Sequence, residues 1–463
     1  MPKPFKEGKH ELETGFYSFA ELVVKGAVDT TARGTLMMPI KADWGPENTV
    51  VDLYSYDDNP FVGQTSFLVD LARMTKLKLL KVVRLATTDA KKATIALDTV
   101  NITAKYTGTR GNNFKVTVRP KLGETGVKQL IVTEGFTELE RVSFATIDEL
   151  IAKTKYSLYI VITKIDGKTG TVADANNVPL TGGASGQNVK VENYNDFFAL
   201  AKAEEDLDGV VLDGVTDPAL KTLLVQFVQT MRVAGKLITG YTAGEGSTDI
   251  DYYGIANCVQ KAKRYEQAYT PQEVAVYMAA ELLACPLNES VAQKATPFTW
   301  VEKLGVEETK ARIATGNIVF FQEGKKVRFN TPVNTMTTLK NLDAVIGMAE
   351  DADEAATIRT LQKVKIVLGI DYITNAQEKI FNRYISKANT QAKRIAAAQA
   401  IKDELLERLA QEEVIELGTF NCYEDPRHTQ NLGKAVYKDE AFFITEYLII
   451  DAIEKVYNKN KVS

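Results

Sequence analysis

Histidine is nearly missing from this chain of 463 residues, where only His10 and His428 occur. Two widely separated imidazoles, the first in a polar leading stretch, supply too little material for a histidine-based nucleophile relay or a multi-histidine metal site. No serine or cysteine carries a local nucleophile signature such as Gly-x-Ser-x-Gly. Cysteine is scarce as well. Cys258, Cys285 and Cys422 are odd in number and far apart, with no Cys-x-x-Cys pair for zinc or redox work, and read as reduced residues. Charge of one sign is also lacking. The net charge of −4 argues against a nucleic-acid partner, whose phosphates have to be neutralised by clustered Lys and Arg. No run reaches about 18 uninterrupted apolar residues, and no apolar stretch follows the charges of residues 1–9. Neither membrane insertion nor an export signal is expected, and the chain is expected to be made and folded in a cytoplasm.

What is present is an ordinary globular composition, 45% apolar and 25% charged, with length for two to four domains and no need of a metal, cofactor or disulfide as a staple. Gly108-Thr109-Arg110-Gly111-Asn112 lacks the Gly-Lys-Ser/Thr of a phosphate loop and precedes a strand, so it reads as a tight turn. The acidic runs at 204–209 and 350–354 lack the alternating ligands of a calcium loop and read as solvated. Among 60 acidic residues nothing selects a catalytic pair, so a soluble α/β enzyme with an unidentified carboxylate-based site stays as the alternative. A surface or adhesion protein is the other competing class.

Along the chain, residues 1–24 read as an extended arm ending in a first strand, Ala20 to Val24. Ala32 to Ile40 and Leu77 to Leu85 read as strands and Thr65 to Met74 as a helix. From about Thr94 to Asn188 short alternating strands take over, closed by a flexible Leu180 to Gly186, which predicts an inserted small β-rich domain. The βα rhythm then resumes, with helices near Asn195–Glu205 and Pro218–Val233 and strands at Gly209–Asp213 and Lys236–Thr239. Thr270-Pro271-Gln272-Glu273 is a strong helix start, carrying Val274, Tyr277, Met278 and Leu282 as a core stripe. Residues 317–330 read as a hairpin, Asn375-Ala376-Gln377-Glu378 as a second capped start, and Gln391 to Glu416 as one long amphipathic helix.

The stretch from Glu440 to Ser463 is rich in aromatic and β-branched residues and nearly free of Gly and Pro, so strand character is expected through to its end. Either it joins a sheet of its own chain as an edge strand, or it augments a sheet of another chain.

Several short segments resemble, in order, the contractile tail sheath proteins of myophage tails and R-type bacteriocins, Gram-positive branch. They are Thr14-Gly15-Phe16-Tyr17, Ala32-Arg33-Gly34-Thr35, Asp43-Trp44-Gly45-Pro46, Val83-Arg84-Leu85, Tyr106 to Asn112, and Leu180-Thr181-Gly182-Gly183 with Gly186. Further on come Cys285 to Ser290, Gly316 to Phe320, Asn334 to Thr338, Tyr384 to Lys387, and Asp451 to Tyr457. Thr14, Leu287 and Ser386 depart from the family wording. The resemblance implies an α/β (α+β) multi-domain sheath subunit with an inserted small β-rich domain and extended N- and C-terminal strand arms, not an enzyme. The implied partners are the chain itself, as a helical homopolymer of stacked six-fold rings, the tail tube protein, and the baseplate and tail terminator proteins. The implied setting is the tail of a phage virion or a released bacteriocin particle.

On that reading the domains are 1–24, an N-terminal linking arm; 25–94 and 189–345, the two parts of a core α/β domain; 95–188, the inserted outer domain; 346–440, a helical tube-proximal domain; and 441–463, a C-terminal linking arm. The linking residues are Phe16, Tyr17, Phe19, Leu22 and Val24 in the first arm, and Phe442, Ile444, Ile450, Ile453, Val456 and Tyr457 in the second. Lys393, Arg394 and Lys402 are the candidate tube contact. Removing Ala441–Ser463 is expected to leave folded monomers that do not assemble.

Overall fold

The computed structural model describes residues 33–54, 56–186, 188–342, 353–430 and 438–454. Its centre is a seven-stranded sheet in the spatial order Asn317–Ile318, Ile255–Cys258, Thr239–Ala243, Gly209–Val211, Arg33–Ile40, Leu77–Arg84 and Val50–Leu53. All neighbours pair in parallel except the last two, whose antiparallel register sets Val51 opposite Val82. Because successive side chains of a strand alternate between faces, the Arg33–Ile40 strand feeds two cores. Leu36, Met38 and Ile40 join one with helices Phe67–Ala72 and Pro271–Ala284. Met37 joins the other with helices Val191–Ala203 and Pro218–Val233. A parallel strand covered on both faces reads in sequence as a near-continuous apolar run, and that is why Arg33–Ile40, Leu77–Arg84 and Gly209–Val211 were legible, whereas Val50–Leu53 and Ile255–Cys258 were not read.

The capping box at Thr270 forms as expected, with the Glu273 amide donating to Thr270 Oγ1 at 3.3 Å and the Thr270 amide to Glu273 Oε2 at 2.7 Å. The helix it starts is not striped, however. Every residue from Val274 to Ala284 is buried, because strands lie under one side and further elements cover the other. The helix expected from Asn195 starts earlier, spanning Val191–Ala203, and the strand expected at Lys236–Thr239 is Thr239–Ala243. Residues 320–329 form the hairpin, Phe320 opposite Phe329, whereas Asn317–Ile318 leaves it to join the large sheet.

Between residues 94 and 179 lie a three-stranded sheet, Thr94–Leu97, Val100–Ala104 and Ile160–Lys164, and a four-stranded one, Ala175–Pro179, Phe114–Pro120, Lys128–Glu134 and Thr137–Phe144. They share one core, from Ile102 and Ile160 to Val116 and Val132. The stretch closing this sandwich is not flexible. The Leu180 amide donates to Phe114 O at 2.9 Å, Thr181 to Thr94 O at 3.1 Å and Ala184 to Lys91 O at 2.9 Å, and the Thr94 amide returns a bond to Thr181 O at 2.8 Å. Its glycines are there for close approach, since a Cβ on Gly183 would lie 2.5 Å from Gly108 O.

From Glu354 to Gln411 the described chain is mostly helical. Asn375 does not start a helix but lies inside Val364–Phe381, because Val364, Ile366, Val367 and Leu368 upstream are buried and hold that first half helical. The long helix expected over Gln391–Glu416 is broken into Gln391–Ile401, one wide π turn at Lys402–Leu406, and Glu407–Gln411. The Pro218–Val233 and Val364–Phe381 helices are joined by a wholly buried Arg232, which donates to both carboxylate oxygens of Asp371 at 2.7 Å and stacks over Tyr253 at 4.6 Å.

Candidate functional site

Open α/β sheets bind ligands outside the carboxyl ends of the strands, where the strand order reverses. Here that point falls between Arg33–Ile40 and Gly209–Val211, whose ends bring Lys41 and Asp213 together. Lys41 Nζ lies 3.3 Å from Asp213 Oδ2, and the Tyr194 hydroxyl donates to Asp213 Oδ1 at 2.8 Å. Burial, and then Asp213, push the Tyr194 phenol far up, so it stays protonated and donates. Gly214, at φ +77°, sits where a Cβ would lie 2.8 Å from Glu273 Cγ. Lys41 and Tyr194 at this point thus both turn to the Asp213 carboxylate of the same chain. The three thiols are buried, and burial pushes Cys258 up to about 12 and Cys285 up to about 11, which leaves them protonated and unreactive. Among the described residues no group of three or more His, Cys, Asp or Glu could hold a metal ion, and no helix is long and apolar enough to cross a membrane.

The geometry that remains is at the end of the chain. Phe443–Glu446 is a strand, and it has a partner in its own chain: it pairs antiparallel with Asn421–Glu424, setting Cys422 opposite Thr445 and Tyr423 opposite Ile444. Of the two partners expected for this stretch, Phe443–Glu446 takes one in its own chain, and the strand character expected to continue through residues 447–454 is absent there apart from a bridge at Ile449. Sequence reading missed Asn421–Glu424. Its signal was the short alternation Phe420, Cys422 stopped by Asp425-Pro426. The pair is the whole of its sheet among the described residues. A two-stranded sheet is marginal alone, and the rest of its support comes from one side. Phe443 packs on Phe381 with ring centroids 4.7 Å apart, in a cluster with Leu405, Leu409 and Ile415.

Of the second-arm residues, Phe442 is clamped: its amide donates to His428 Nε2 at 2.7 Å, its carbonyl accepts from the Asp425 amide at 3.0 Å, and Arg427 stacks over its ring at 4.1 Å. Ile444 is half-buried within the strand. Ile450 donates its amide to Val414 O at 2.9 Å, and its carbonyl accepts from Lys365 Nζ at 2.7 Å. Ile453 is 88% exposed. Around it Asp451 pairs with Lys363, and Glu454 accepts from Ser290 Oγ at 2.9 Å. Val456 and Tyr457 lie outside the described residues, as do Phe16, Tyr17, Phe19, Leu22 and Val24. Arg33, the first described residue, donates to Cys285 O at 2.6 Å, on the loop that carries Ser290. Both described ends of the chain thus meet the 285–290 loop.

The three basic candidates are not equivalent. Lys393 is exposed and Lys402 half-exposed, but Arg394 is consumed internally, donating to Glu424 Oε1 and Asn389 Oδ1 at 2.8 and 2.7 Å. It braces the two-stranded sheet against the helix. The Asn334 to Thr338 segment also has a structural task. Asp251 accepts the amides of Thr337 and Thr338 at 2.5 and 2.8 Å together with both hydroxyls, and Asn334 donates to Leu361 O at 2.6 Å.

Residues 86–185 match the family profile of the phage tail sheath protein beta-sandwich domain, and residues 187–335 that of the phage tail sheath protein central domain. A curated relative, the phage-like element PBSX protein XkdK of Bacillus subtilis (strain 168), is 24% identical over 362 residues, covering 72% of this chain and 75% of XkdK. A sheath tail protein from Desulfitobacterium hafniense shares the fold with a TM-score of 0.69 at 18% identity, covering 95% of this chain and 100% of its own. One from Listeria innocua does so at 0.67 and 21% identity, covering 90% and 95%. With both sheath domains in register over more than half its length, the chain belongs to the phage tail sheath proteins, the structural subunits of contractile tails.

Proposed function

We propose that the two-stranded sheet of Asn421–Glu424 and Phe443–Glu446 is the socket through which copies of this chain are joined. Its support is the small size of the sheet among the described residues, which gains from further strands, and the aromatic and β-branched residues of Phe16 to Val24 and of Val456 and Tyr457, which could supply them. Strands from the arms of adjacent copies complete it, Phe16 to Val24 from one and the segment with Val456 and Tyr457 from another. If each added strand makes about five hydrogen bonds at roughly 0.5–1.5 kcal/mol net, one arm contributes only a few kcal/mol, and repetition along the polymer makes the mesh strong.

On this reading the chain forms a helical homopolymer of stacked, six-fold rings around a tail tube, bounded by baseplate and terminator proteins. Head-to-tail contacts that do not close generate such a polymer. Contraction is a rigid-body rearrangement of compact bodies between two packings while the arms stay paired. The role is mechanical rather than enzymatic, which the match to both sheath domain families supports. The sandwich faces outward and contributes least to polymer contacts; the helical region after residue 353 faces the tube, with Lys393 and Lys402 as the free cations for that contact. Phage virion and headless bacteriocin particle share this mechanism.

The test is truncation and electron microscopy. Removing Ala441–Ser463 strips Phe443 from Phe381 and so damages the fold, which makes truncation after Glu454 the sharper variant. The full chain is expected to form striated tubes or rings, and the truncated chain to stay monomeric with an unchanged melting temperature. Tubes from the truncated chain overturn the linkage.

A further inference from the structure

The sandwich is joined to the α/β body by two connections, 85–93 and 180–186, and domains joined in this way ordinarily move against each other. Here the returning connection and the loop that leads into the Phe114 strand are both held by one side chain, at the foot of the outgoing connection. Arg84, at the end of the Leu77–Arg84 strand, is 0% exposed. Its Nε donates to Ala42 O at 2.9 Å, one terminal nitrogen donates to Gly45 O at 2.8 Å and Thr107 O at 2.9 Å, and the other reaches Ser185 O at 3.4 Å. Two of these carbonyls belong to the body, one to the loop that leads into the Phe114 strand, and one to the chain returning from the sandwich. The planar guanidinium fork suits this task; an ammonium has no fixed fork to offer.

The surroundings close the same seam. Ser185 Oγ donates to Asp43 Oδ1 at 2.7 Å and accepts from the Thr109 amide at 3.0 Å. Gly108, at φ +132°, lies so close to the body that a Cβ there would sit 1.9 Å from Asp43 O. Trp44 of the body meets Tyr106 and Phe114 of the sandwich edge-on at 5.2 and 5.1 Å, beneath the Arg110 guanidinium. Four sequence landmarks separated along the chain, around residues 43–46, 83–85, 106–112 and 180–186, therefore converge on one point.

We propose that Arg84 is a positioning residue that fuses the β-sandwich to the α/β body, so that the two move as one rigid piece whenever copies rearrange against each other. The proposal concerns the single chain and stands apart from strand exchange.

It is tested on the isolated full-length chain by spin-label distance measurement between Leu122→Cys, at the sandwich tip, and Val233→Cys, on the body. Both positions are exposed, at 98% and 69%, while the native thiols are buried. One narrow distance distribution is expected. Arg84→Met is expected to broaden it and Arg84→Lys to broaden it less, because an ammonium restores part of the donor set; lowered stability alone does not move this readout. A broad distribution in the parent, or an unchanged narrow one in a folded Arg84→Met, overturns the proposal. Should Arg84→Met not fold, Ser185→Ala removes only the hydroxyl bonds and is expected to give a smaller broadening. Hydrogen exchange of the unmodified chain decides independently: the Gly108, Thr109 and Ala184 amides are expected to exchange at least about 100-fold more slowly than those of the Leu122–Gly126 tip, and equal rates overturn the rigid seam.

Discussion

Two sheets of this molecule are built on opposite terms. The seven-stranded sheet is covered on both faces, its edge strand Val50–Leu53 carries the Asp52–Lys81 ion pair at 2.9 Å, and at its strand-order reversal Lys41 and Tyr194 turn to Asp213. The Asn421–Glu424 and Phe443–Glu446 pair has two strands and is braced by helices. The first is finished within one chain. The second is two strands wide among the described residues, and the proposed linkage rests on that difference.

The contrast is broken most severely by attacking the finished part. Arg232→Met leaves the Asp371 carboxylate buried without its cation and is expected to cost about 3–5 kcal/mol in urea unfolding, because an unpaired buried charge is expensive. A loss under about 1 kcal/mol would mean that the helices flanking the large sheet are not tied as closely as the 2.7 Å bidentate contact indicates.

Asp251→Asn is expected to cost roughly 2 kcal/mol, as a charged acceptor of several hydrogen bonds is lost. Burial pushes this carboxyl up, but the hydrogen bonds from Thr338 and Thr337 outweigh it, and the pKa lies below the ordinary value. A depressed carboxylate contributes stability that is present above the unfolded value of about 3.9 and lost as pH falls through the lower folded value. The difference between parent and variant is therefore expected to be full at neutral pH and to shrink in acid; a difference independent of pH would contradict the assignment.

Arg394→Met is expected to have the smallest effect, about 1 kcal/mol, because the pair with Glu424 keeps some contact with solvent. It sharpens the comparison by loosening only the small sheet, so hydrogen exchange should quicken at Cys422 and Tyr423 and stay unchanged in the Arg33–Ile40 strand.

Much of the large sheet was legible in the sequence because a strand buried on both faces is nearly a run of apolar residues, as Leu36 to Ile40 is and Leu79 to Val83 is apart from Lys81, and because Thr270-Pro271-Gln272-Glu273 is a local signal with a local cause; the short Val50–Leu53 and Ile255–Cys258 strands were not read. The misreadings had non-local causes. Asn375 has the wording of a helix start, yet tertiary burial of Val364 to Leu368 overrides it. The Leu180–Gly186 stretch looks flexible by composition, while Gly183 and Gly186 serve close packing against Gly108 and Thr87. Asn421–Glu424 has too few residues for periodicity to show, and its pairing with Phe443–Glu446 is fixed by the fold between them. At the candidate site, Phe442 and Ile450 were legible as strand-forming residues, but their own-chain partners His428 and Val414 were not.

Strand exchange is tested most directly by amide hydrogen exchange of residues 421–424 and 443–446 in the isolated chain and in assembled tubes. Added strands on the small sheet predict strong new protection there on assembly, with the Arg33–Ile40 strand unchanged. Equal exchange of these amides in the two states would contradict it.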